Sequence, residues 1–211
     1  MLLIGLTGGI GAGKSSVSAA LARHGAVIVD ADAIVRELQQ PGTVVFQEMV
    51  DRFGPGIIGP EGGLDRAAVA SVVFTDPEAL ADLGAIVHPR VHSEIERRVA
   101  EQAGTDNVVV LDIPLLAESG WPGLAATIVV DLDPEVAVER LVRHRGVTED
   151  DARNRIARQA GRDERLARAD LVIDNHGEPH QLEAEVDRAW EWIQTLRTAS
   201  DCPKPSNSAS R

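Results

Sequence analysis

Lysine is nearly absent from this chain. Of its 21 basic residues only Lys14 and Lys204 are lysine; the other 19 are arginine. Base as a whole is also scarce. Thirty-three acids leave a net charge of −12, which argues against a general binder of nucleic acid or anionic membrane, whose surface is normally basic. Cysteine occurs once, as Cys202. No disulfide framework can therefore form within one chain, in keeping with a reducing, cytoplasmic setting. No apolar run approaches the roughly 18 residues that a membrane span needs. Met1 leads directly into a strand-like run with no charged n-region or cleavage site, so no secretory signal is expected. Six scattered His with one Cys give no zinc spacing, and neither G-x-S-x-G nor a kinase H-R-D occurs.

The 211 residues, 44% apolar and 26% charged, suit one soluble core with small inserted lobes, and a monomer is the favoured state. Strand and helix alternate along the chain. LLIGL (2–6), AVIVD (26–30), NVVVLD (107–112), ATIVVDL (126–132) and DLVID (170–174) are apolar on successive residues. That marks strands buried on both faces of a parallel sheet covered by helices. A helix is predicted from Lys14 to His24, ended by Gly25. A helical insertion covers 33–104, in which Pro77 and Pro89 both suit first-turn helix positions. A second helical insertion covers 140–168, with Thr148 and Asp151 as a capping pair. A last helix covers 179–198. The Pro/Ser-rich remainder, to residue 211, is expected to be disordered. No internal repeat is visible.

The one lysine outside that tail stands in TGGIGAGKSS (7–16). Gly8 to Ser15 fits G-x-x-x-x-G-K-[ST], between an apolar strand and a helix. Gly9, Gly11 and Gly13 let the backbone curl so that N–H groups, with those of Ala12 and Ser16, face phosphate oxygens. The helix N-terminus adds partial positive charge. Lys14 is a compact cation suited to β- and γ-phosphates, and Ser15 offers a hydroxyl to Mg²⁺. In a chain whose cations are otherwise arginine, a lysine here points to its shape. A nucleotide held by its phosphates, with Mg²⁺, is the expected ligand.

VIVDAD places Asp30 and Asp32 at the carboxyl end of the second strand, the edge where open α/β sheets bind ligands. Asp32 caps a helix beginning at Ala33, or one of the two aspartates accepts the proton of an attacking hydroxyl. Asp30 is a candidate to orient metal-bound water. VVVLD ends on Asp112, in the form of a Walker-B strand whose Asp reaches Mg²⁺ through water; Glu118 follows across the same edge. Residues 140–168 hold nine Arg and five acids, a net +4 on a chain of −12, which suggests a local anionic target. A basic flap over polyphosphate would exclude water. Most of these arginines are expected to sit in ion pairs on solvated helix faces, with Arg140 the leading functional candidate.

A GTPase would carry N-K-x-D, but Asn175 has no Lys after it. An ABC-type ATPase would carry an Asp-Glu pair, but Ile113 follows Asp112. What remains is a small P-loop kinase, with a non-catalytic ATP-dependent interaction protein as the alternative of another class. At this level the acceptor is open, a nucleoside monophosphate or a small alcohol included.

Six stretches in order resemble the dephospho-coenzyme A kinase family: TGGIGAGKS, VIVDADAIVREL, HPRV (88–91), DIPLLAE (112–118), ERL…RIARQ (139–159) and ADLVIDNHG (169–177). The sequence departs from it at Ala117, where a larger apolar residue is usual, and at His144-Arg145, where Arg-Asp is common. The resemblance implies an α/β P-loop kinase fold, a five-stranded parallel sheet with helices on both faces. The core would take residues 1–32, 105–139 and 169–197, with an acceptor-binding insertion at 33–104, an Arg-rich lid at 140–168 and a tail at 198–211. It implies transfer of the ATP γ-phosphate to the 3′-hydroxyl of dephospho-CoA. Asp32 would be the base, Lys14 and Arg140 the phosphate contacts, and Asn175 a residue near the adenine. His88, Pro89, Arg90, Leu115 and Glu118 would lie on the acceptor side.

Overall fold

The computed structural model of the chain describes residues 1–114, 116 and 120–200, the last two without their side chains. Leu115, Ala117, Glu118, Ser119 and residues 201–211 lie outside the described residues. Two compact units are present. Met1–Ile28 with Gly104–Arg211 forms one, and Val29–Ala103 the other.

The first unit is built on five strands: β1 (Leu2–Gly8), β2 (Val27–Asp30), β3 (Val108–Asp112), β4 (Ala126–Asp131) and β5 (Leu171–Asp174). β2 passes out of the unit at Val29. The strand order is β2-β3-β1-β4-β5, the parallel sheet that the unbroken apolar runs predict. β1 and β3 are buried at every residue. Alternate side chains serve the two faces. Ile4, Leu6, Val108, Val110, Ile128 and Val130 join Val17 and Leu21 of helix α1 (Lys14–Arg23) and Val186 and Ile193 of the last helix in one core cluster. Burying such a side chain completely contributes about 1.5–3 kcal/mol. Gly5 points to the opposite face, where a Cβ would press on Leu116 and Leu124 at 2.5 and 2.9 Å.

Connection direction sets the functional edge. The chain leaves β1 toward β2 and leaves β3 toward β4, yet β1 and β3 are neighbours with Leu6 abreast of Asp112. Adjacent strands whose connections part in opposite directions open a crevice at their carboxyl ends, where open α/β sheets bind ligands.

The second unit contains α2 (Ala31–Leu38), α3 (Val44–Phe53), α4 (Arg66–Val73) and α5 (Pro77–Ala100). Val45, Met49, Ile57 and Val87 form its buried centre. Pro77 is at the start of α5, where the Asp76 side chain accepts the Glu78 N–H at 2.9 Å. Pro89 does not start a helix. It lies inside α5, because Leu83, Ile86, Val87 and Val91 pack continuously into the unit's core across it and His88 supplies no capping oxygen.

After β4 the first unit continues through α6 (Pro134–Arg145), α7 (Glu149–Ala157), α8 (Arg162–Leu166) and α9 (Pro179–Ser200). Thr148 accepts the Asp151 N–H at 3.2 Å and caps α7. Two expectations change. α6 runs across the expected boundary between core and insertion at 139/140, with Arg140 inside it; the buried stripe Ala137, Val138, Leu141 carries that helix on to Gly146, whose φ of 64° ends it. Residues 198–200, expected in a disordered tail, complete α9.

Candidate active site

The turn from β1 into α1 supplies the donors. Gly11 and Gly13 have φ of 81° and 88°, a left-handed conformation in which only glycine is unstrained. The Ala12 N–H is used on Gly9 O at 3.0 Å, and Ser16 and Val17 use Gly13 O at 3.0 and 3.3 Å. The N–H groups of Gly11, Gly13, Lys14 and Ser15 find no acceptor among the described residues. Four such donors at a helix N-terminus, where the helix dipole is positive, make a nest for an anion.

The Lys14 ammonium pairs with Asp112, whose carboxylate is 5% exposed at the end of β3. The lysine thus stands at the crevice between β1 and β3. Thr7, fully buried, donates to Pro114 O at 3.1 Å and holds the chain leaving β3 against β1. Ser15 is exposed. Its hydroxyl and the Asp112 carboxylate are hard oxygen donors of the kind Mg²⁺ takes. Among the described residues no three His, Cys, Asp or Glu side chains converge. Mg²⁺ bound through nucleotide phosphates and water needs only one or two protein oxygens.

Three side chains from the second half of the chain reach the loop. Asn175 donates from Nδ2 to Ala12 O at 2.7 Å, Gln159 accepts the Ile10 N–H at 2.7 Å, and Arg165 lies against Gly9. A Cβ at Gly9 would come within 2.9 Å of the Arg165 guanidinium. Arg165 is buried and also donates to Ala160 O. Sequence reasoning missed Gln159 and Arg165 as loop contacts. No local spacing marks them, since each is a single side chain brought in from about 150 residues away.

Arg140 donates to the carbonyl of Asn175 at 2.9 Å. Ion pairs on helix faces, expected for most arginines of 140–168, are seen at Arg153 with Glu135 and Glu149, Arg155 with Asp151, and Arg168 with Glu164. Arg162 grips Asp131 with two bonds of 2.8 and 2.6 Å, which hold the Asp131 carboxyl below the usual carboxylate range. Beside it, Asp174 is held low chiefly by the His176 backbone N–H and then by the His176 ring.

In the second unit the two aspartates divide their roles differently from expectation. α2 begins at Ala31, and its cap is Asp30, which accepts the Ala33 N–H at 3.0 Å and lies 3.7 Å from Arg36. Asp32 does not cap. It sits exposed in the first turn. His88, Pro89 and Arg90 are exposed on α5. The His88 ring folds back over Gly84, and Arg90 pairs with Glu48 at 2.8 Å.

A glycine-rich loop with convergent N–H donors, a lysine at the helix start and an aspartate ending the neighbouring strand define a P-loop nucleotide-binding protein. The sequence model of the dephospho-CoA kinase family matches residues 2–181. The chain belongs to that family. A dephospho-CoA kinase of Streptomyces avermitilis is 51% identical over 191 residues, 90% of this chain and 93% of the relative. One of Thermobifida fusca is 48% identical over 195 residues, 92% and 97% of the two chains. Among solved structures, TT1252 from Thermus thermophilus superposes with a TM-score of 0.75 at 34% identity, covering 92% of this chain and 96% of that one. A dephospho-CoA kinase from Campylobacter jejuni shares the fold, with a TM-score of 0.68 at 21% identity over 94% and 98% of the two chains. Membership decides in favour of an enzyme over a non-catalytic binder.

Proposed function

We propose that the chain transfers the γ-phosphoryl group of ATP to the 3′-hydroxyl of the dephospho-CoA ribose, giving coenzyme A and ADP. The observation that carries the reading is the donor nest of Gly11, Gly13, Lys14 and Ser15 beside the Lys14–Asp112 pair, in a chain matched to the family over residues 2–181. The nest N–H groups hold the β- and γ-phosphates. Lys14 follows the charge that develops on the transferring group, and Arg140 supplies further positive charge beside it. Ser15 and, through water, Asp112 would hold Mg²⁺, which would supply positive charge to neutralise the phosphate oxygens. Asp30, already committed as a helix cap, is the weaker candidate for that shell.

In the step itself the 3′-oxygen forms a bond to the γ-phosphorus as the bond from γ-phosphorus to the β–γ bridging oxygen breaks. ADP leaves with that electron pair, and the hydroxyl proton passes to the Asp32 carboxylate. Asp32 suits the task because it is exposed and Asp30 performs the capping. His88, Pro89 and Arg90 belong to the acceptor side, with Leu115 and Glu118.

The test is ADP release with dephospho-CoA, a nucleoside monophosphate and a simple alcohol as acceptors, with the phosphorylated position read by NMR. Release well above buffer with dephospho-CoA alone, and phosphate on the 3′-oxygen, is the expected result. Release no greater than buffer with dephospho-CoA would overturn the reading.

A further inference from the structure

Asn175 follows β5 directly and is 6% exposed. Its backbone N–H continues the sheet by donating to Asp131 O at 3.0 Å. Its side chain runs the other way and donates to Ala12 O at 2.7 Å. The sense of the amide is not free here, because a carbonyl can only accept. Its own carbonyl receives Arg140 at 2.9 Å. A continuous chain of donors thus runs from α6 through Asn175 into the middle of the loop.

The consequence lies in the peptide joining Ala12 to Gly13. A trans peptide is planar, with its C=O and N–H pointing in opposite directions. Fixing the Ala12 carbonyl toward Asn175 therefore fixes the Gly13 N–H away from it. That N–H is one of the four loop donors with no acceptor among the described residues. Gly13 also has no room for a side chain on this flank, since a Cβ there would fall on the Asn175 amide nitrogen. The close approach and the φ of 88° require glycine for separate reasons.

We infer that Asn175 is a positioning residue for the phosphates of the nucleotide: it acts through the Ala12–Gly13 peptide rather than on the adenine, and holds the Gly13 N–H aimed into the phosphate nest. The inference rests on the reading of this loop as the holder of the ATP phosphates. Because it involves no nucleobase, it makes a specific demand. Loss of the Asn175 donor must weaken a bare polyphosphate as much as it weakens ATP.

The experiment measures dissociation constants of ATP and of inorganic tripolyphosphate by calorimetry on the full chain and on Asn175→Asp and Asn175→Ala, with thermal melting to verify folding. Asn175→Asp keeps the size but sets an acceptor against a carbonyl; Asn175→Ala removes the donor without that repulsion and serves if the Asp variant fails to fold. Leaving a buried carbonyl unsatisfied predicts about a 10-fold or greater weakening, by the same factor for both ligands. A merely structural role lowers the melting temperature without moving the constants of the folded protein. Weakening of ATP alone would mean that Asn175 touches the base, and unchanged constants for both would mean that the loop needs no brace; either result overturns the inference. If the unaltered chain bound no ATP, the phosphoryl-transfer reading would fall first and this one with it.

Discussion

At Asp30 the carboxylate accepts the Ala33 N–H at 3.0 Å; two residues on, Asp32 stands exposed in the first turn of the same helix. Substitution should separate the two. Asp30→Ala removes a helix cap, worth about 1 kcal/mol, and should lower the melting temperature by roughly 2–4 °C for a chain of this size. Asp32→Asn keeps the shape and caps nothing, so stability should change little. A positioned base is worth about 10²–10⁴ in rate, so kcat should fall at least 100-fold while the ATP dissociation constant stays put. Near-normal turnover in Asp32→Asn, measured by ADP release, would leave that aspartate as a surface residue. The same pair shows what residue order can carry. VIVDAD marks the edge of the sheet, but which carboxylate caps depends on whether the helix opens at Ala31 or Ala33, a choice made by backbone geometry. The loop glycines and Lys14 were readable because their chemistry lies in consecutive residues. Gln159, Arg165 and the contact from Asn175 to Ala12 were not, because each depends on a distant side chain whose direction only the packed sheet determines.

Among the elements, α5 combines opposed requirements. Its 24 residues run through Pro89, which has no N–H to give to the carbonyl four residues back and whose ring crowds it. The helix persists because Leu83, Ile86, Val87 and Val91 pack with Val45 and Met49 on both sides of the proline. Local preference alone would have divided it, which is why His88-Pro89 reads in sequence as a boundary. Buried strands such as β1 and β3 were easier, since a continuous apolar run leaves little choice of face. Restoring the N–H with Pro89→Ala should stabilise the Val29–Ala103 unit by about 1 kcal/mol or more, up to the roughly 3 kcal/mol that an interior proline costs. If Pro89 helps present His88 and Arg90 to the acceptor, the KM for dephospho-CoA should rise while the KM for ATP holds. A higher melting temperature with both KM values unchanged would remove Pro89 from the acceptor side.

Across the whole molecule, a charge of −12 is tolerable because so many carboxylates are paired, and that pairing fixes the response to acid. Glu94 accepts from Arg97 and from Arg98; the Arg97 bonds act first and the Arg98 bond next, outweighing the cost of burial and holding its carboxyl at about 2. Asp131 beside Arg162 and Asp174 beside His176 are shifted the same way. A carboxyl whose folded pKa lies below its unfolded value, about 4.3 for Glu, binds fewer protons folded than unfolded. Its contribution to stability is complete above the unfolded value and is lost as pH falls through the folded one. For Glu94 the loss should run from about pH 4.3 down to about pH 2. Both of its arginines extend from the same helix as Glu94, and Arg98 also reaches Glu37 on α2, so the effect belongs to the Val29–Ala103 unit. Urea midpoints of the chain and of Glu94→Gln, measured from pH 6 to pH 2.5, provide the check. The variant should be the less stable at pH 6, and the gap should close as the acid is protonated, because Gln mimics the neutral carboxyl. A gap that stays constant across that range would show that the guanidinium pairs are too well solvated to hold the fold, and the acid response would then have to come from the Asp131 and Asp174 pairs in the nucleotide-binding unit.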